Sequence, residues 1–177
     1  FPDIAGSEIS FSSKSGILKV SKNAEDICLN FPADDPELQE MDALFAEALG
    51  KSPIEILRGT DDFLAVFETE QQIQTMNPDF TKLAKINSRG VVISAPGNDV
   101  DFVSRCFFPQ TGVDEDPVTG SAHTMLIPYW AKQLDKIEFK AHQLSARGGA
   151  LDCKLINNRV LISGKSVIYF EGMISII

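Results

Sequence analysis

The chain has 177 residues, 44% hydrophobic and 23% charged, the balance of an ordinary folded protein. Sixteen basic against 25 acidic residues give a formal net charge of −9, without the basic footprint that nucleic acid or an anionic membrane surface requires. No apolar run approaches the ~20 residues of a membrane span, so neither a membrane nor a nucleic acid is expected as partner.

The opening FPDIAGSEISFSSKSG lacks Met and enters a strand almost at once, which reads as the start of a cut piece. SEISFSS and GILKVSK alternate apolar and polar residues around Lys14-Ser15-Gly16, a hairpin signal. DICLNFP is a third strand, stopped by Pro32. DDPELQEMDALFAEALG then reads as a helix, with Asp34 or Asp35 as cap, Pro36 in the first turn and Gly50 at the close. Its expected buried face is Leu38, Met41, Leu44, Phe45, Ala48 and Leu49. IEILRGTDDFLAVFET gives two strands, and a weak helix between Glu70 and Lys85 is interrupted near Asn77-Pro78. GVVISAPG, with few polar positions, is a strand buried on both faces, and DVDFVSRCFFPQ is the next. After a helix from Ala122 to Leu134, the strands KIEFKAHQLS, ALDCKLIN, RVLISGK and SVIYFEGMISI end the chain, with Asn157-Asn158 as a hairpin turn. Antiparallel-looking runs with two long helices predict an α+β fold.

Cys28, Cys106 and Cys153 lie far apart among alternating apolar residues, with no second Cys or His at metal-ligand spacing. They read as small buried hydrophobes in a reducing compartment, and no metal site is expected.

The densest candidate for chemistry is VDEDPVTGSAHTMLIPYWAKQL, residues 113–134. Acidic and Gly-containing residues lead into a helix that is apolar nearly all round and contains Pro128. Thr119, Gly120 and Ser121 put unpartnered N–H groups at the helix start, where the dipole favours an anion such as a carboxylate. Asp116 just upstream is the candidate acid or base, or else a loop residue accepting N–H bonds. The same letters also describe an N-cap without a ligand; a buried helix makes that reading costly, since its N–H groups then stay unsatisfied. His123, in the first turn, either touches a ligand or bonds its own loop. Arg147 and Gly148 in LSARGGAL form a second candidate carboxylate site or a solvent-facing turn. No GxGxxG after a strand, GxxxxGK[ST], HExxH or GxSxG pattern occurs.

SRCFFPQTGVDEDPVTGSAH with its continuation PYW resembles the phenazine-biosynthesis PhzF-like family, and SSKSGILKV, ARGGALDCKL and VLISGKSVIYFEGMI extend the resemblance over nearly the whole chain. The resemblance implies a diaminopimelate epimerase-like fold: two pseudo-symmetric α+β domains, each a curved mixed sheet wrapped around a central helix. Residues 26–165 would be the C-terminal domain, with its central helix at about 121–134, and residues 1–25 and 166–177 the remaining strands of an incomplete N-terminal domain. It further implies a cytoplasmic, homodimeric isomerase that transfers a proton on a small carboxylate without metal or organic cofactor. Asp116 would be catalytic, with Thr119, Gly120, Ser121, His123, Arg147 and Gly148 binding substrate, and half of the site would come from a segment before Phe1. Related epimerases carry a catalytic Cys near this helix start; Asp116 takes that region here, which disfavours a two-thiol mechanism. The rival reading is a non-catalytic binding or interaction protein that keeps the fold.

Overall fold

The computed structural model describes residues 8–14, 16–23, 26–167 and 169–173. In chain order these form β1 (Glu8–Ser13), β2 (Gly16–Asn23), β3 (Asp26–Pro32), β4 (Glu37–Leu38), α1 (Ala43–Leu49), β5 (Glu55–Arg58), β6 (Asp62–Val66), α2 (Glu70–Gln74), α3 (Phe80–Leu83), β7 (Gly90–Pro96), β8 (Phe102–Phe108), a 3₁₀ turn (Pro109–Thr111), β9 (Val113–Asp116), α4 (Gly120–Leu134), β10 (Glu138–Gln143), β11 (Gly149–Ile156) and β12 (Arg159–Lys165). Among the described residues all strands join one mixed sheet, in the order β1-β2-β3-β12-β11-β10-β8-β7-β6-β5-β4, with β9 attached to β8. The β6–β7 and β8–β10 pairs are parallel and the others antiparallel.

The expected α+β architecture is what forms, and the period-2 alternation of the strands explains it. Val92, Phe102 and Cys106 face α4, while Val91, Ile93, Val103 and Phe107 face the short helices α1–α3. The GVVISAP strand is therefore buried on both faces. On the α4 side, Leu29 and Phe31 of β3, Val160 and Ile162 of β12, Leu151 of β11, Phe139 of β10 and Leu64 of β6 all pack in one cluster with Met125, Leu126, Ile127, Tyr129 and Trp130. Strands from both halves of the sheet order thus meet the same helix, so the sheet curls around it. That is why α4 is apolar nearly all round. Pro128 has no N–H to give the carbonyl of Thr124; that carbonyl accepts the backbone N–H of Asp34 at 3.0 Å instead.

Two expectations need correction. The helix foreseen from Asp34 begins only at Ala43, with Asp42 as its cap accepting the N–H of Leu44. Glu37 and Leu38 pair with Arg58 and Leu57 as an edge strand. Leu38 and Met41 are exposed, so the apolar face that matters is Phe45, Ala48 and Leu49. Asp34 caps no helix, because its carboxylate receives Thr60 N–H and Oγ1 at 2.9 and 2.8 Å. Gly50 does close α1, at φ 72°. The last expected strand, SVIYFEGMISI, is not formed by residues 166, 167 and 169–173. Val167, Tyr169, Phe170 and Met173 stand exposed and join no strand ladder among the described residues. Ser15, Glu25, Ile168 and residues 174–177, on which parts of the expected hairpin, domain boundary and tail fall, lie outside the described residues.

Among the described residues no helix is long and apolar enough to cross a membrane.

Candidate functional site at the start of the central helix

The chain reaches the α4 start by a reversal that its sequence spells out. Pro109 opens the 3₁₀ turn and Gly112 leaves it at φ 83°, so β9 returns along β8 with Asp116 opposite Cys106. The two acids of this stretch then divide their work. Glu115 forms a two-pronged ion pair with Arg105 (2.7 and 3.0 Å), whose other arm donates to the carbonyls of Ile73 and Met76. That pair fixes β9 to β8 and to the end of α2. Asp116 turns toward the helix start. Its Oδ2 accepts the hydroxyl of Thr119, while its Oδ1 has no partner among the described residues.

Thr119 is the N-cap of α4, yet its side chain does not cap. Thr69, in the same position on α2, does so within a full capping box. With the Thr119 hydroxyl committed to Asp116, the N–H groups of Gly120 and Ser121 have no partner among the described residues. The other wall of this cleft comes from Arg89. Its guanidinium is held by the buried Asp62 through Nε (2.9 Å) and Nη2, lies 5.5 Å over the Phe108 ring, and donates to Ser121 Oγ at 3.2 Å. The hydrogen bond to Asp62 raises the Arg89 pKa further above its ordinary value. Because a guanidinium can only donate, Ser121 Oγ accepts from it and keeps its own hydrogen to offer elsewhere. Arg89, Phe108, Thr111, Val113, Asp116, Thr119 and Ser121 line one open cavity of about 260 Å³.

Of the expected site residues, Asp116, Thr119 and Ser121 share this cavity, and Gly120 adjoins it. A side chain at Gly120 would point away from it, to 3.2 Å from Leu29 Cδ1, so glycine here serves the packing of the helix on β3. His123 bonds its own loop: Nδ1 meets the Thr119 carbonyl at 2.8 Å, and the ring is fully buried beside Phe102. Burial lowers its pKa to about 4, so the ring is neutral. Arg147 and Gly148 line a different, larger hollow of about 900 Å³ with Val118, Lys140 and His142. Gly148 takes φ 71° there and donates its N–H to Ser145 Oγ. Cys106, across the ladder from Asp116, is buried, and burial pushes its thiol well above the ordinary range. It keeps its proton and is a poor nucleophile.

Sequence reasoning passed over Arg89 and Gln143. Gln143, fully buried, accepts the Thr119 N–H at 2.8 Å and donates to the Asp116 carbonyl at 2.8 Å and to Thr119 Oγ1 at 3.1 Å. The available signals were a polar residue at an inward position of the alternating strand EFKAHQ and an Arg directly before a buried strand.

The family model described as phenazine biosynthesis-like protein matches residues 3–172. An uncharacterized isomerase of Pseudomonas aeruginosa is 45% identical over 97% of this chain and 66% of its own length. Thus the chain spans about two thirds of that relative. Among solved structures, a phenazine biosynthesis protein of the PhzF family from Enterococcus faecalis superposes with a TM-score of 0.89 at 39% identity, covering 96% of this chain and 65% of that one. A hydroxyproline epimerase from Agrobacterium vitis shares the fold at 12% identity and a TM-score of 0.59, over 93% of this chain and 58% of that one.

Proposed function

The chain belongs to the phenazine biosynthesis-like family, and from that premise we propose that the full-length protein is an isomerase acting by proton transfer on a small carboxylate. The observation that carries this reading is Oδ1 of Asp116, unpartnered among the described residues, in one cavity with Arg89 and Ser121 at an uncapped helix start. The substrate carboxylate would rest on the N–H groups of Gly120 and Ser121, the Ser121 hydroxyl and the outer edge of the Arg89 guanidinium. Drawing a proton from a carbon next to that carboxylate moves negative charge onto its oxygens, where fixed donors stabilise it most. Asp116 would accept the proton or return it at another carbon, so the product is an isomer, with no net gain or loss of electrons or atoms. In this reading His123 acts through the Thr119 carbonyl and does not touch substrate. The third of the relatives' length that lies outside this chain would supply the facing wall and the second acid–base group.

The test is deuterium wash-in. The full-length protein is incubated in D₂O with a panel of small acids that bear a C–H next to a carboxylate, and incorporation at carbon is read by mass spectrometry. Asp116→Asn is expected to lower kcat by about 10²-fold or more while KM changes only a few-fold, as loss of a transition-state role requires. Equal turnover in the variant removes Asp116 from the mechanism. No incorporation with any acid by the wild-type protein favours the non-catalytic reading.

A further inference from the structure

Gln143 closes β10 at the point where that strand runs parallel to β8, opposite Ser104, and its side chain is fully buried. Each of its polar atoms is spent on the four-residue loop from Asp116 to Thr119. The carboxamide oxygen takes the Thr119 N–H, and the nitrogen gives its two hydrogens to the Asp116 carbonyl and to Thr119 Oγ1. The direction of the last bond has a consequence. An amide nitrogen can only donate, so Thr119 Oγ1 accepts there, and the single hydroxyl hydrogen goes to Asp116 Oδ2.

A Thr at an N-cap ordinarily turns its oxygen onto the N–H of the second or third helical residue. In α4 those are Ser121 and Ala122. We infer that Gln143 is a positioning residue that holds the helix start open: by engaging Thr119 Oγ1 from β10, it keeps that hydroxyl from capping its own helix. The same bond chain, Gln143 to Thr119 to Asp116 Oδ2, reserves Asp116 Oδ1 for the reacting molecule. Thr119 is thereby a relay and not a cap, and the helix N–H groups stay available to an anion. This inference rests on the anion-holding role of the helix start proposed above.

The residue type follows from the geometry. Met at 143 keeps the length and loses every hydrogen bond. Glu keeps an acceptor for the Thr119 N–H but loses both donors and sets a second acid against the Asp116 carbonyl. In either variant Thr119 Oγ1 loses the donor that occupies it and can turn its acceptor side onto the N–H of Ser121 or Ala122, its hydrogen staying on Asp116 Oδ2, so binding weakens through a group that touches no ligand. Removing that hydroxyl should then restore binding. A merely structural role for Gln143 predicts the opposite, since a second lesion in the same cluster can only add damage.

The experiment uses the full-length protein and acetate as the probe, followed through the amide NMR signals of Gly120 and Ser121. In the wild type these two signals are expected to move with added acetate. Gln143→Met should need at least about fivefold more acetate, and Gln143→Met with Thr119→Val should return to within about twofold of wild type, a non-additivity diagnostic of coupled sites. If Gln143→Met does not give a folded spectrum, Gln143→Glu, alone and with Thr119→Val, carries the same comparison. A single variant that titrates like wild type, or a double variant no better than the single, overturns the role of Gln143. Absence of any acetate response in the wild type overturns instead the anion site on which it rests, and the two failures are read from different samples.

Discussion

The burial of His123 makes stability depend on pH in a way that can be worked out in advance. The folded protein holds the ring neutral with a pKa lowered to about 4, against an ordinary 6.5, because burial disfavours the charged form. The unfolded chain therefore binds a proton below pH 6.5 that the folded protein refuses until about pH 4. Stability linked to this group is complete above pH 6.5 and is lost as pH falls across that interval. At about 1.4 kcal/mol per pH unit the full interval corresponds to roughly 3 kcal/mol, of which about 2 kcal/mol is gone by pH 5. The comparison variant is His123→Asn, whose side-chain N–H can still reach the Thr119 carbonyl but does not titrate. Its smaller volume beside Phe102 lowers stability at every pH, so the slope is the measurement and not the level. Urea unfolding of both full-length proteins between pH 7.5 and 5 is the assay; carboxylates common to the two cancel in the difference. Wild type is expected to lose about 2 kcal/mol more than the variant over this range. Parallel stability curves would show that the ring takes up its proton in the folded protein, and the buried, loop-bonded description of His123 would be wrong.

Two further substitutions test the supports of the site. Asp62→Ala strips the buried carboxylate from Arg89; since the Arg89 side chain is 38% exposed and can rehydrate, the loss is put at about 2 kcal/mol, below that of a fully buried pair. A shift of the urea midpoint measures it, and an unmoved midpoint means that the pair adds nothing to stability. Ser94→Ala removes the acceptor of the Trp130 indole N–H, which lies 2.9 Å away in the core. The orphaned donor costs about 1–3 kcal/mol, read as a lower Tm and through the fluorescence of Trp130, the single tryptophan of these 177 residues; unchanged melting would show that the N–H finds another partner.

Much of this molecule is written in local pattern. Alternation in GVVISAP, in EFKAHQ and in FVSRCFF sets which residues face α4, and Asn157, at φ 53°, makes the β11–β12 turn. An all-round apolar helix entered through Asp-Pro-Val-Thr-Gly-Ser reads from sequence alone as a core element with a polar doorstep, and α4 has that position. Local pattern misjudged the stretch from Asp34 to Asp42, where helical spacing exists but the edge of the sheet claims Glu37 and Leu38 first. It was silent on the site's supports for a different reason. Gln143 lies 27 residues from Asp116, and Arg89 lies 32 residues from Ser121. Such meetings are decided by strand order: β10 inserts parallel beside β8, and β7, which begins just after Arg89, lies on the other side of β8. Periodicity tells a side chain which face to take; only the closed sheet tells it which neighbour it will find there.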